Sequence, residues 1–457
     1  MLKKILIKNY KSLVMNHPVD IGRLTIIAGK NNVGKSATLQ AILDMAKYTD
    51  GNGLDTVDLS FEPLLANFHR KVNNNAMDNI ITNVLEIQIE DEVYMLEYEF
   101  SYDEKSKSGF ISKFKFKSAS SEDAPYLEMT KQNLKSRYKI KANKILTPMF
   151  VKVKDGVEDL PEYFEGEGSV MFMGFVPLHT IFKFKDNPEL DQWFEQDEEE
   201  DEIIFSLSFA RKIVVYYTSV KYIGPLRSLP KEYYLLDKRS SSISSNGEET
   251  IDVLDLLKNE EVSYYASLED TELTKKTLLE AVQYWISYFT NVVFELKEVT
   301  NNLLQVLVSG HPMNHSGFGI SQLLPIIVQA LLIPKGGIIF LEQPEIHLHP
   351  ELEMKLAEFM LCIIKNNRQI IAETHSEHII NRLTLVKMDY PEIDEFIKIY
   401  FYSKEDSEVK IENIVIDERG SIVNWPEGFF DQYLNFSNAL MSRRAERAKK
   451  IQQQKSK

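Results

Sequence analysis

Cysteine is almost missing from this 457-residue chain: Cys362 stands alone, so no internal disulfide can form. A lone thiol fits a reducing compartment and leaves the fold to be held by its core. Long apolar runs are missing too. The strongest, Leu323–Ile333, holds Pro325 and Gln329 and is about half the ~20 residues a membrane span requires. The opening Met1-Leu2-Lys3-Lys4-Ile5-Leu6-Ile7 resembles an export leader only until Lys8 and Lys11 interrupt it, so a cytoplasmic protein without membrane contact is expected. Excess positive charge is lacking: the net charge is −15 at pH 7. A chain built chiefly to grip nucleic-acid phosphates would show the opposite balance. Sustained heptads are absent, which argues against long coiled-coil arms, and no internal repeat is found. What is present is ordinary globular material, 44% hydrophobic and 26% charged, at a length that suggests two to four structural units.

Two stretches carry phosphate chemistry. Gly29-Lys30-Asn31-Asn32-Val33-Gly34-Lys35-Ser36 fits the G-x-x-x-x-G-K-[ST] loop without mismatch. Leu24, Ile26, Ile27 and Ala28 predict a buried strand before it. Leu39, Ile42, Leu43 and Ala46 predict one face of a helix after it. Gly29 and Gly34 let successive N–H groups curl round an anion, and the helix N-terminus adds positive field. Gly29, Asn31, Asn32, Gly34, Lys35, Ser36 and Ala37 form the candidate phosphate-binding set, with Lys35 on the phosphates and the Ser36 hydroxyl on Mg²⁺.

The second stretch, Gly336-Gly337-Ile338-Ile339-Phe340-Leu341-Glu342-Gln343-Pro344-Glu345, is an apolar strand running into acid. Glu342 is the candidate metal carboxylate, completing with Ser36 and phosphate oxygens an oxygen-only Mg²⁺ site. Gln343 stands where a water-activating glutamate is common. It cannot act as a base at neutral pH but can orient water, so slow turnover is expected unless Glu345 serves as the base. Arg368 to Ser376 reads as another core strand ending in polar residues, with His375 placed to meet a γ-phosphate or the attacking water. His347 and His349 alternate, but no third ligand of suitable spacing accompanies them. Asn314 to Gln322 supplies small and hydroxyl residues at the start of another predicted helix, a second anion site.

Between these stretches, Val84–Tyr102 predicts a β-hairpin turning at Glu90-Asp91, and Phe110–Lys117 predicts a strand with Lys113, Lys115 and Lys117 on one side. That lysine row reads as a solvated sheet face, with possible DNA contact as the other reading; Lys131–Lys144 extends the same basic arm. Residues 195–202 are acidic, and 442–457 form a tail with seven Lys/Arg against one acid.

Together these motifs resemble ABC-type ATPases of the RecF, SMC and OLD kind. The resemblance is carried, in the family's order, by Asn9-Tyr10-Lys11-Ser12, the phosphate loop, Ile223-Gly224-Pro225-Leu226-Arg227, the signature-like Ser316–Gln322, Leu341–Pro350, Glu373-Thr374-His375-Ser376 and Trp425–Asp431. It extends to ATPase subunits of anti-phage systems such as PtuA of Septu.

The resemblance implies an α/β head with a mixed-sheet core, an antiparallel β subdomain and an inserted helical lid. It divides the chain into residues 1–100 and 223–383 (the two parts of the head), 101–222 (an inserted arm and lid), 384–441 (a small α/β extension) and 442–457 (the tail). It further implies ATP and Mg²⁺ as cofactors and a homodimer or higher oligomer sandwiching ATP, with Ser316, Gly317, Gly319, Ser321 and Gln322 reaching the partner copy's nucleotide. Tyr10 or Lys11 would lie near adenine or phosphate, and Arg227 near the nucleotide or a bound strand. The stretch after His375 lacks the carboxylate strand pattern of a TOPRIM nuclease, so a separate effector, such as an HNH nuclease, is the expected partner. A repair ATPase gripping DNA directly is the alternative.

Overall fold

A computed structural model describes residues 1–49, 71–72, 79–103, 105, 108–118, 126–132, 137–143, 163–173, 176–183, 202–206, 208–236, 240–405, 408–424, 426, 441 and 443. Strands β1 (Leu2–Lys8), β2 (Val19–Asp20) and β3 (Leu24–Gly29) lead into helix α1 (Lys35–Thr49). An antiparallel meander follows: β4 (Ile81–Ile89), β5 (Glu92–Asp103), β6 (Ser108–Ser118), β7 (Tyr126–Lys131), β8 (Arg137–Asn143), β9 (Tyr163–Met173), β10 (Val176–Lys183) and β11 (Glu202–Ser206). Helix α2 (Ser208–Thr218) then enters β12 (Val220–Ile223).

A middle stretch holds β13 (Tyr234–Leu235), α3 (Thr250–Leu257), β14 (Glu261–Tyr264), β15 (Thr274–Thr277), α4 (Leu278–Thr290), β16 (Phe294–Thr300), β17 (Leu303–Val308) and β18 (His311–Pro312). Helix and strand then alternate: α5 (Phe318–Leu332), β19 (Ile338–Glu342), α6 (Pro350–Lys365), β20 (Gln369–Glu373) and α7 (Glu377–Asp389), closed by β21 (Ile397–Glu405) and β22 (Glu408–Asn413).

Two sheets organise these elements. One has six strands in the order β12-β19-β20-β3-β21-β22, with β22 antiparallel to its neighbour and the rest parallel. The other has ten, β11 back through β4 and then β1 and β2. Alternation along the six-stranded sheet sorts its side chains. Ile27, Phe340, Ile371 and Tyr402 share a core with α1 and the ten-stranded sheet, while Ile26, Leu341, Ala372 and Phe401 share one with α3 to α7. Burial on both faces explains why these strands read as continuous apolar runs rather than alternating ones. Trp285 of α4, packed against Tyr264, Tyr288 and Phe359, anchors the helical side.

The fold is therefore mixed α/β with an antiparallel subdomain. The hairpin predicted from Leu85, Ile87 and Ile89 is β4–β5, turning at Glu90-Asp91. A boundary at 100/101 falls inside β5, because one sheet continues from the N-terminal strands into the arm. The arm's described helix is α2, and its other described elements are strands. Within the expected extension at 384–441, β21 and β22 join the core sheet beside β3. The acidic run (save Glu202), Trp425–Asp431 (save Pro426) and the basic tail (save Arg443) lie outside the described residues. Among the described residues no helix is long and apolar enough to cross a membrane.

Candidate nucleotide site

β3 ends at Gly29, β19 at Glu342 and β20 at Glu373, and because these strands run parallel their ends share one edge. The register pairs Glu342 with Glu373 and Glu373 with Ile27. Ligands of parallel α/β sheets bind at this carboxyl edge. The phosphate loop begins under tight restraint: at Gly29, φ is 147° and a Cβ would lie 2.2 Å from the Tyr402 carbonyl oxygen. Asn32 (φ 61°) and Gly34 (φ 98°) then take left-handed conformations that curl the loop. Asn31 and Asn32 are exposed on it, whereas Ala37 packs inward from the first turn of α1. The Lys35 ammonium reaches back to the carbonyls of Gly29 (3.1 Å) and Lys30 (2.7 Å).

Acid surrounds that lysine. The Ser36 hydroxyl donates to Glu373 Oε2 at 2.7 Å, and Lys35 Nζ lies 3.7 Å from Glu373 Oε1. The Tyr222 hydroxyl donates to Glu342 Oε2 at 2.6 Å. Burial lowers the Lys35 pKa even though Glu373, Glu342 and Glu345 act to raise it. Burial likewise raises that of Glu373, against the pull of Ser36 and Lys35. Both shifts run opposite to those of a stabilising ion pair, because removing two charges from water here outweighs their mutual attraction.

Three carboxylates act on one ammonium, and the hydroxyls of Ser36 and Tyr222 are bonded to two of them. That set suits a hard, oxygen-seeking cation. Among the described residues no three Asp, Glu, His or Cys side chains form an all-protein cage. Mg²⁺ is commonly held by one or two carboxylates plus phosphate oxygens, so Ser36, Glu342 and Glu373 fit it.

A tight turn follows Glu342. Gln343 is left-handed at φ 45°, and its N–H donates to the Glu373 carbonyl at 2.8 Å. Glu345 Oε1 accepts the His375 backbone N–H at 2.6 Å, and burial raises the Glu345 pKa. This carboxylate, a candidate base in the sequence, braces the strand end that carries His375. His375 is exposed at the edge, its pKa lowered by partial burial and then by the Lys35 charge.

Several expected placements are revised. Tyr10 is fully buried: its hydroxyl donates to Asp44 at 2.7 Å, and Asp44 also pairs with Lys71 at 2.7 Å. Lys11 is exposed, with its ammonium on Gln40 of α1. Arg227 is buried behind the Glu342 turn, bonded to backbone carbonyls. Ser316 is half-buried, just ahead of the helix-capping Gly317, and Gly319 packs beside Leu348 and Leu352. Ser321 and Gln322 are turned into the core, the Ser321 hydroxyl donating to the Phe318 carbonyl at 2.7 Å. Ser316 is thus the signature hydroxyl nearer the surface. His349 caps α6 through Nδ1.

Part of the basic arm is paired with acid. Lys113 pairs with Glu97 (2.8 Å) and Glu99 (3.3 Å), and Lys139 and Lys141 share Glu165. Tyr138 is buried, its hydroxyl on the Ile111 carbonyl.

Glu373 and Tyr222 were not singled out from the sequence. Glu373 carries a readable signal, since it repeats the apolar-run-then-acid pattern of Glu342. Tyr222 carries none, because only the parallel pairing of β12 with β19 brings it to Glu342.

An SMC head domain from Thermotoga maritima is 10% identical, with TM-score 0.40, covering 91% of this chain and 99% of that one. An SMC head bound to the C-terminal winged-helix domain of ScpA is 9% identical, with TM-score 0.44, covering 92% and 98%. No curated protein matches. A family described as a protein of unknown function (DUF3696) matches residues 394–440. The profile described as "AAA ATPase domain" matches residues 1–380, most of the chain and every motif residue of the site, and the protein belongs to that family of ATPases.

Proposed function

We propose that this ATPase binds MgATP at the carboxyl edge of its six-stranded sheet, hydrolyses it slowly, and pairs with a second copy around the nucleotide to regulate a separate effector. The observation that carries the site is the convergence of Lys35 and Ser36, at the start of α1, with Glu342 and Glu373 at two adjacent strand ends. N–H groups of residues 29–34 and the α1 N-terminus bind the phosphates, and Lys35 neutralises them. Ser36 and Glu342 would hold Mg²⁺, joined by Glu373. The ion's contribution is to offset charge on the oxygens of the transferred phosphoryl group. Gln343 orients the water, neutral His375 offers a hydrogen bond, and Glu345 keeps the His375 backbone in place. Support for pairing comes from the half-buried Ser316 and the exposed Gly317 at the N-terminus of α5, an anion-binding end offered to another copy. Support for a nuclease effector of HNH type in anti-phage defence is the motif resemblance. In the lysine row Lys113 is already paired with Glu97 and Glu99, which weakens the support for direct DNA gripping.

Fluorescent-ATP titration and sizing chromatography test this reading. The wild type is expected to bind only with Mg²⁺ and to shift to a larger species on binding. Ser36→Ala and Glu342→Ala should each weaken Mg²⁺-dependent binding by about 10-fold or more. Normal MgATP binding by both variants sinks the site. A nucleotide-independent elution volume sinks the pairing.

Turnover tests Gln343. A well-placed base is worth ~10²–10⁴ in rate. Glu342, Glu345 and Glu373 already crowd the pocket, so a new carboxylate would be held partly protonated. Gln343→Glu should therefore raise kcat by about 10-fold, short of the full effect. No gain in single-turnover hydrolysis would mean that slowness does not originate at Gln343.

A further inference from the structure

Arg227 is buried, yet it forms no ion pair with any described carboxylate. Its Nη2 donates to the carbonyls of Gln343 (3.1 Å) and Glu342 (3.5 Å), and its Nη1 to that of Pro344 (3.4 Å). Its Nε is buried without a hydrogen-bond partner. A guanidinium taken from water for three neutral acceptors is costly to keep, and burial lowers its pKa to about 10. The three acceptors belong to consecutive residues, and the middle one is the left-handed Gln343. That conformation costs a non-glycine residue about 1–2 kcal/mol. The Gln343 peptide is pinned on both sides, by its N–H on the Glu373 carbonyl and by its C=O on Arg227. Glu345 presents a buried Oε2, also without a partner, toward the same region. Its carboxylate favours the Arg227 charge without direct contact.

We infer that Arg227 is a positioning residue for hydrolysis: by gripping the carbonyls of Glu342, Gln343 and Pro344 it holds Gln343 left-handed and so aims its amide at the attacking water. Nucleotide binding should depend on the grip less than turnover does, because Lys35 and Ser36 begin α1, away from this turn, and Glu342 would meet Mg²⁺ through its side chain rather than the gripped carbonyl. The inference rests on the proposed nucleotide site.

The experiment uses the full chain with Arg227→Met, Arg227→Lys, Gln343→Ala and Arg227→Met/Gln343→Ala. Arg227→Met is expected to bind fluorescent ATP within about 3-fold of wild type, to keep KM, and to lose kcat by about 10–100-fold, the range for removing an outer support. Arg227→Lys keeps the charge but cannot span three carbonyls, and should fall between. On the Gln343→Ala background, Arg227→Met should cost less than about 2-fold, since no amide remains to aim. A kcat within 2-fold of wild type in Arg227→Met overturns the inference. So does an undiminished loss on the Gln343→Ala background, or parallel loss of binding and turnover. Should Arg227→Met fail to fold, Arg227→Lys decides: a wild-type kcat in that variant overturns it. Failure of the underlying site would look different, with Lys35→Ala binding MgATP as the wild type does.

Discussion

Lys35→Ala is expected to bind MgATP too weakly to measure at micromolar protein. Removing one member of a buried, hydrogen-bonded charge contact costs ~2–5 kcal/mol, or about 30-fold to several thousand-fold in Kd. The structure also predicts a second effect. Glu373, Glu342 and Glu345 all act on Lys35. Without it, the raised pKa of Glu373 rises further, because Lys35 and Ser36 were pulling it down. For a carboxyl whose folded pKa lies above its unfolded value, the stability contribution is fully present below the unfolded pKa. It is lost as pH climbs through the folded pKa. The variant's Tm deficit should therefore be smaller at pH 5.5 than at pH 8. Wild-type affinity would remove Lys35 from the site. A deficit independent of pH would mean that Glu373 does not feel it.

The second large effect is expected at Gly29. An alanine there would set its Cβ 2.2 Å from the backbone oxygen of Tyr402, at φ 147°. The obstacle is a strand rather than a flexible side chain, so relief requires β3 and β21 to part. Overpacking of this kind costs ~1–3 kcal/mol and the backbone strain about 1–2 kcal/mol more, a large share of a marginal native stability of ~5–15 kcal/mol. Gly310→Ala is the control. Its φ is 81° and its Cβ would meet nothing within 4 Å, so only backbone strain remains. Urea melts should show Gly29→Ala losing several times what Gly310→Ala loses, together with MgATP binding. Equal losses would refute the close approach of β3 and β21.

Local patterns in the sequence carried the local structure. The apolar run before Gly29 and the i, i+3, i+4, i+7 spacing from Leu39 specify β3, the loop and α1 without outside help. The period of two in Leu85, Ile87 and Ile89 does the same for β4. What was not legible depends on pairing across hundreds of residues. No short window reveals that β21 inserts beside β3, or that Glu373 rather than Glu342 receives the Ser36 hydroxyl. Position relative to α5 separates Ser316 from Ser321: the helix starts at Phe318, Ser316 precedes it half-buried, and every residue from Ile320 to Leu331 is buried. The family resemblance placed Tyr10 or Lys11, and Arg227, beside a ligand. Asp44 and a row of carbonyls claim Tyr10 and Arg227.

The sheet order has a consequence for how this protein is made. The Gln369 side chain is bonded to both backbone groups of Leu2, a partner 367 residues away, and to the Gly22 carbonyl. At ~5–20 residues per second, translation needs roughly 20–70 s to deliver that glutamine after the first strand has emerged. Throughout that interval β3 has neither flanking strand, while the β4–β11 meander can zip from successive hairpins. The nascent chain therefore presents an open, apolar edge that a ribosome-associated chaperone would have to shield until the last strands arrive.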